Sequence, residues 1–119
     1  MWIRRGDRKK KAEKITRPVL FGEQGKPIVY YEVDAFNQEF GVVIEVEAGR
    51  GAANNADYRD LIRASLMVDA KVLVLAMMLS YKSGKTVIKS YERTWNSLDA
   101  IFKSERLVLP LDGVLLIGY

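Results

Sequence analysis

The residues of this chain best suited to chemistry are carboxylates spaced two apart: Glu32 and Asp34 in the run IVYYEVDAF, and Glu45 and Glu47 in FGVVIEVE. Both runs are rich in β-branched and aromatic residues, so each reads as a strand, and side chains two apart on a strand share a face. The face carrying Glu45 and Glu47 otherwise holds Gly41 and Val43, while Val42, Ile44 and Val46 form an opposite face suited to a core. Two like charges side by side on such a strand destabilise each other unless a positive charge offsets them. A hard divalent cation is the natural partner. Mg2+ takes oxygen ligands, typically one or two carboxylates completed by waters and substrate phosphate. The plainer reading of the same spacing is an acidic strand face in contact with solvent.

Composition narrows the chemistry further. The 119 residues include no Cys and no His. Disulfides, thiolate nucleophiles, Ser-His-Asp relays and His- or Cys-ligated metal sites are therefore excluded. Acid–base and metal chemistry must come from carboxylates, Lys, Tyr or Ser.

The elements around the carboxylates decide whether they meet. Ile28–Phe36 and Phe40–Glu47 read as two strands of a hairpin. A turn centred on Asn37-Gln38 pairs Asp34 with Gly41 and Glu32 with Val43, which puts all four carboxylates on one face. A three-residue turn would place the two pairs on opposite faces. In the tight register Glu45 sits opposite Tyr30, with Asp34 roughly 13 Å along the strand. Glu32 lies diagonal to Glu45, within ~8 Å. Glu32 and Asp34 thus compete for the place beside Glu45, and a wide or bulged hairpin is needed to bring Asp34 in.

Downstream, Asn54 or Asn55 can cap a helix with Asp57 and Asp60 in its first turn, where the helix dipole favours acids. Tyr58, Leu61, Ile62, Ser65 and Leu66 follow at helical spacing. Lys71–Leu79 is a continuous apolar run, expected of a central strand covered on both faces. Ser83-Gly84-Lys85 is a turn. Tyr91, Trp95, Leu98, Ile101 and Phe102 mark a second amphipathic helix, and Val114–Ile117 a last strand. This order implies an α/β fold, a mixed sheet sandwiched by helices.

The charge is uneven. Residues 1–17 hold eight basic and two acidic residues, a net +6, and the remainder nets −2. Residues 1–17 read as a basic N-terminal arm or helix, and 18–119 as a single domain. Lys9, Lys10 and Lys11 could neutralise phosphates and give salt-dependent nucleic-acid binding; a solvated tail or charged first helix is the plainer alternative. No apolar segment follows the arm to act as a secretory signal, and Val72–Leu79 is far short of the roughly 20 residues that span a bilayer. A cytoplasmic protein with no membrane partner is expected. Gly84-Lys85-Thr86 is not a phosphate-binding loop, because Leu79 stands where that motif needs Gly.

The run Glu32-Val33-Asp34 followed by Val43-Ile44-Glu45-Val46-Glu47 resembles the active-site hairpin of the PD-(D/E)xK restriction-endonuclease-like superfamily. There an Asp on one strand precedes a carboxylate-x-Lys on the next. Glu47 stands at the Lys position, as in the BamHI-like enzymes, and Val33 replaces the usual Pro. The stretch Glu45–Asp60 is similar to that of bacterial proteins described as restriction-endonuclease-like. The resemblance covers roughly residues 28–80. It implies a restriction-endonuclease-like mixed β-sheet with an active-site hairpin flanked by α-helices. It further implies Asp34 and Glu45 as metal-binding acids, Glu47 as the residue that positions or deprotonates the attacking water, and Glu32 as an auxiliary acid. The implied activity is Mg2+-dependent hydrolysis of DNA phosphodiester bonds, with Mn2+ as substitute; a duplex cutter of this size is expected to act as a homodimer, one site per strand. Arg50, Arg59 and Arg63 are candidates to hold phosphates or to fix the carboxylates through salt bridges. The alternative is a non-catalytic nucleic-acid-binding or regulatory protein that keeps the nuclease fold; a third reading is an interaction module whose acidic strand face is merely solvated.

Overall fold

The structure is a computed structural model that describes residues 2–4, 15–49 and 54–119, with side chains from Ile15 onward. Lys9, Lys10, Lys11 and Arg50 lie outside the described residues. The chain is mixed α/β. Its strands are β1 (Trp2–Arg4), β2 (Ile15–Phe21), β3 (Pro27–Val33), β4 (Ala35–Asn37), β5 (Val42–Glu47), β6 (Val72–Met77), β7 (Tyr81–Ser83), β8 (Thr86–Ile88) and β9 (Gly113–Gly118). The α-helices among the described residues are α1 (Ala56–Leu66) and α2 (Ser90–Ser104). The main sheet runs β1-β4-β5-β6-β9, with β5, β6 and β9 parallel and β4 and β1 antiparallel additions; β2–β3 and β7–β8 form separate two-stranded hairpins.

The apolar run expected at the centre of the sheet is β6, hydrogen-bonded on both sides to parallel neighbours. Helix α1 links β5 to β6 and α2 links β6 to β9, two steps in the same direction across the sheet. Right-handed crossovers then put both helices on one face. Phe36, Val43, Leu73, Leu75 and Met77 are fully buried there, packed with Leu61 and Ala64 of α1 and Leu98 of α2. Among the described residues the expected sandwich is therefore one-sided. On the opposite face Val46, Leu115 and Ile117 remain 48%, 55% and 43% exposed. No helix among the described residues is long and apolar enough to cross a membrane.

The hairpin register differs from the tight one. Ala35 faces Ile44, Phe36 faces Val43 and Asn37 faces Val42, where a turn centred on Asn37-Gln38 would set Ala35 against Phe40. The buried Asn37 side chain explains the shift. Its Oδ1 accepts the Phe40 N–H at 3.0 Å and its backbone carbonyl accepts the Gly41 N–H at 2.9 Å, which closes a wider turn. Gly41 is required at the exit. Its φ is +65°, and a Cβ there would lie 2.6 Å from the Asp69 carbonyl oxygen.

A second difference is the break at Asp34, which splits the expected strand Ile28–Phe36 into β3 and β4. β3 swings out of the main sheet to pair with β2. That hairpin is fastened to the helix side by an Arg17–Asp69 ion pair, by the Arg17 guanidinium 4.1 Å from the Phe36 ring centre, and by the Val68 N–H donating to the Pro18 carbonyl at 3.2 Å.

Residues 2–4 and 15–17, expected as parts of a basic arm, are strand. Trp2-Ile3 and Ile15-Thr16 are strong strand formers, and each segment finds a ladder. Arg4 pairs with Ala35 and Ile15 with Val33, the residues on either side of Asp34.

Candidate metal centre

Glu45 and Glu47 project from the covered face of β5, in line with the buried Val43. The strand supplies a rigid mount, because β5 is bonded to β4 on one side and to β6 on the other. Tyr119 adds a further tie, its hydroxyl donating to the Glu47 carbonyl oxygen at 2.7 Å. One step beyond the Ala35–Ile44 pair, Asp34 reaches the place opposite Glu45. The bend there interrupts the backbone ladder, and the side chain substitutes for it: Asp34 Oδ2 accepts the Val46 N–H at 2.9 Å. Asp34 also comes within hydrogen-bonding reach of the Glu45 carboxyl.

The third element is α1. Asp57, Asp60, Leu61 and Ala64 form its buried stripe, while Tyr58, Ile62 and Leu66 are exposed. Asp60 is only 2% exposed and points at the strand. Glu45, Glu47 and Asp60 each offer an oxygen within 4.8 Å of the others. Asp34 beside Glu45 extends this to four carboxylates from three elements.

Such a cluster cannot be fully ionised at low cost. Burial, then the charges of Asp60, Asp34 and Glu47, push the Glu45 carboxyl from an ordinary 4.5 up to about 9. Burial and the neighbouring Glu47 raise Asp60 from 3.8 to about 7, although Arg59 pulls the other way. With Glu47 and Asp60 both ionised, neither can donate to the other. Asp60 Oδ2 is then buried without a hydrogen-bond partner. A proton or a cation between the oxygens removes that conflict.

One protein cation is already present. The Arg59 guanidinium bonds Glu47 and also Asp60 Oδ1, the latter at 3.1 Å. Burial disfavours its charge, but Asp60 and Glu47 outweigh burial and raise its pKa. Arg59 thus satisfies one oxygen of Asp60 and leaves the other. An oxygen-only, clustered and partly orphaned donor set fits a hard divalent cation such as Mg2+ or Mn2+, with Glu45, Glu47 and Asp60 as ligands and Asp34 beside them.

The structure brings together Asp34, Glu45, Glu47 and Arg59 of the sequence-derived set. Glu32 lies elsewhere: it is exposed on β3, opposite Thr16, and outside the cluster. The bend at Asp34 turns β3 out of the main sheet to pair with β2, so Glu32 is not carried along the β4–β5 ladder towards Glu45. Arg63 stacks over the Tyr31 ring, 5.1 Å from its centre, rather than on the carboxylates. Asn55 occupies the cap position of α1 in the left-handed region and makes no side-chain cap bond.

Asp60 is not among the expected ligands, because the sequence reads it as a first-turn acid favoured by the helix dipole; in the structure α1 starts at Ala56 and only Asp57 lies in that turn. A signal was available. Asp57, Asp60, Leu61 and Ala64 follow helical spacing as well as the apolar set Tyr58, Leu61, Ile62 and Leu66 does, and the two alternatives differ in which face meets the sheet. Comparison with known protein families, characterised proteins and solved structures finds no match for this chain.

Proposed function

We propose that this protein is a divalent-metal-dependent nuclease that hydrolyses DNA phosphodiester bonds, restriction- or repair-like, on a restriction-endonuclease-like arrangement of sheet and helices. The observation that carries the reading is the convergence of Asp34, Glu45, Glu47 and Asp60, with a buried Asp60 oxygen left unpartnered. A merely solvated acidic strand face would not draw Asp60 in from a separate helix.

Mg2+ or Mn2+, when bound, supplies Lewis-acid polarisation of a phosphodiester oxygen and neutralises developing negative charge. Glu45, Glu47 and Asp60 would hold the ion. Asp34, tied to the Val46 N–H, fixes the position of Glu45. With no His or Cys in the chain, Glu47 is the residue to orient the attacking water and accept its proton. The Arg59 side chain, 45% exposed, can release the carboxylates to a cation and turn towards a phosphate. The basic composition of residues 1–17, with Arg4 and Ile15 paired to the neighbours of Asp34, supports nucleic acid as the partner, and a duplex cutter of this size fits a homodimer with one site per strand.

One observation favours a second reading, a non-catalytic nucleic-acid-binding or regulatory protein. Arg59 already spans Glu47 and Asp60 and partly neutralises the place a cation would take. Plasmid cleavage separates the two. Mg2+-dependent nicking that is lost in Glu45→Ala supports the nuclease. Equal cleavage by that variant points to a contaminant, and DNA binding without cleavage favours the second reading.

A further inference from the structure

We propose that the β7–β8 hairpin is a duplex-DNA contact of this same site, with Lys82 and Lys85 each neutralising a backbone phosphate. The proposal takes its partner from the nuclease reading and adds a surface that the carboxylate hairpin does not supply. The hairpin leaves the sheet at the end of β6, next to the end of β5 that carries Glu47. Its base is clamped there. The Leu79 N–H donates to the Tyr119 carbonyl at 2.7 Å, and the Tyr91 N–H donates to the Met78 carbonyl at 3.0 Å. A Cβ on Gly118 would lie 2.6 Å from Leu79 and 2.9 Å from the Tyr91 ring, so both roots of the hairpin press on β9. The Tyr81 ring comes within 4.0 Å of where a Cβ on Gly49 would stand, two residues past Glu47. Met78 Sδ accepts the Gly49 N–H at 3.3 Å. The hairpin is therefore held beside the metal centre and not elsewhere on the surface.

Its chemistry suits a polyanion. Leu79–Tyr91 contains three lysines and no acidic residue, in a chain whose residues beyond 17 are net acidic. Lys82 and Lys85 are exposed, and no ion pair among the described residues engages either. Lys89 differs, with Glu92 3.9 Å away. Gly84 in the turn and the flanking Ser83 and Thr86 are small, which lets a phosphate backbone approach. Lys85 lies in the two-residue turn that the Ser83–Thr86 pair closes, and Lys82 stands on β7 one residue before that pair. The two lysines are three residues apart at one tip, so both ammonium groups can serve one strand of a duplex.

The test is fluorescence anisotropy of a short labelled duplex of random sequence, in EDTA so that no cleavage occurs, across a range of KCl concentrations. Each phosphate neutralised contributes about 0.9 to the slope of log affinity against log salt. The double variant Lys82→Ala/Lys85→Ala should lose about 1.8 of slope, which is roughly 60-fold in affinity at about 0.1 M salt. Lys82→Glu/Lys85→Glu should bind more weakly still. Lys103→Ala is the control, because it removes an exposed lysine from the far end of α2, some ~20 Å along that helix. It should leave the slope unchanged. A double variant with the wild-type slope, or a control that loses as much, overturns the hairpin assignment while the nuclease reading stands. A wild-type protein that binds no duplex overturns both.

Discussion

Replacing Arg59 by Met keeps the aliphatic stem but removes the cation that bonds Glu47 and Asp60 together. Asp60 is 2% exposed and Glu47 8%, so both carboxylates would be left nearly dry and facing each other. Breaking a fully buried pair by removing one partner costs about 3–5 kcal/mol. Here the guanidinium side is 45% exposed, water reaches it, and the carboxyls can take up a proton, so the cost is reduced. About 1–3 kcal/mol is expected in EDTA above pH 7, where Asp60 would otherwise ionise. For a domain of this size that is a drop in Tm of roughly 3–15 °C. Two conditions should shrink the loss: lower pH, which protonates the cluster, and added Mg2+, which replaces the lost cation. A free-ion concentration 100 times Kd stabilises by about 2.7 kcal/mol. Differential scanning fluorimetry of both proteins, with and without Mg2+ and on each side of pH 7, reads all of this. An Arg59→Met protein as stable as wild type in EDTA above pH 7 would refute the reasoning.

The raised carboxyls give a pH dependence of definite sign. The folded chain keeps the Glu45 proton from its ordinary 4.5 up to about 9 and the Asp60 proton from 3.8 up to about 7, so it binds more protons than the unfolded chain in that window. Their contribution to stability therefore falls as pH rises through it, most steeply where both groups contribute. Urea midpoints in EDTA should show this decline and saturating Mg2+ should lessen it; a decline that Mg2+ leaves unchanged contradicts the assignment. Gly41→Ala places a Cβ against the Asp69 carbonyl at positive φ and should cost about 1–3 kcal/mol, read as a lower urea midpoint with an unchanged slope. Leu75→Ala, in the fully buried centre of β6, should cost about 2–5 kcal/mol; a loss below about 1 kcal/mol would mean that this face is not the core.

The sheet was legible in the sequence wherever one pattern had one meaning. The apolar run of β6 and the spacing of α2 read directly, although Trp95 and Phe102 turn out exposed. The alternation of β5 also read as a strand, but the core lies on the side of Val43, Glu45 and Glu47 and not on that of Val42, Ile44 and Val46, because the helices cover the carboxylate face. What failed depended on tertiary partners. The register was set by the Asn37 side chain and by the approach of Gly41 to Asp69, neither of which is a property of the hairpin alone. The inward face of α1 was hidden because its apolar residues Tyr58 and Ile62 face solvent and its acids face the sheet. That choice places Asp60 beside Glu47 and leaves the Arg59 pair between them. Asp34 beside Glu45 needed the wider turn, and the same geometry moved Glu32 away.

The central claim is that Glu45, Glu47 and Asp60 form one cation site. Anomalous diffraction from crystals soaked in Mn2+ tests it directly. The expected result is one ion with oxygen atoms of all three residues at about 2.0–2.2 Å and the Arg59 side chain moved off Glu47. Crystals saturated with Mn2+ that show no anomalous peak between these carboxylates, with Arg59 still bonded to Glu47 and Asp60, would contradict it.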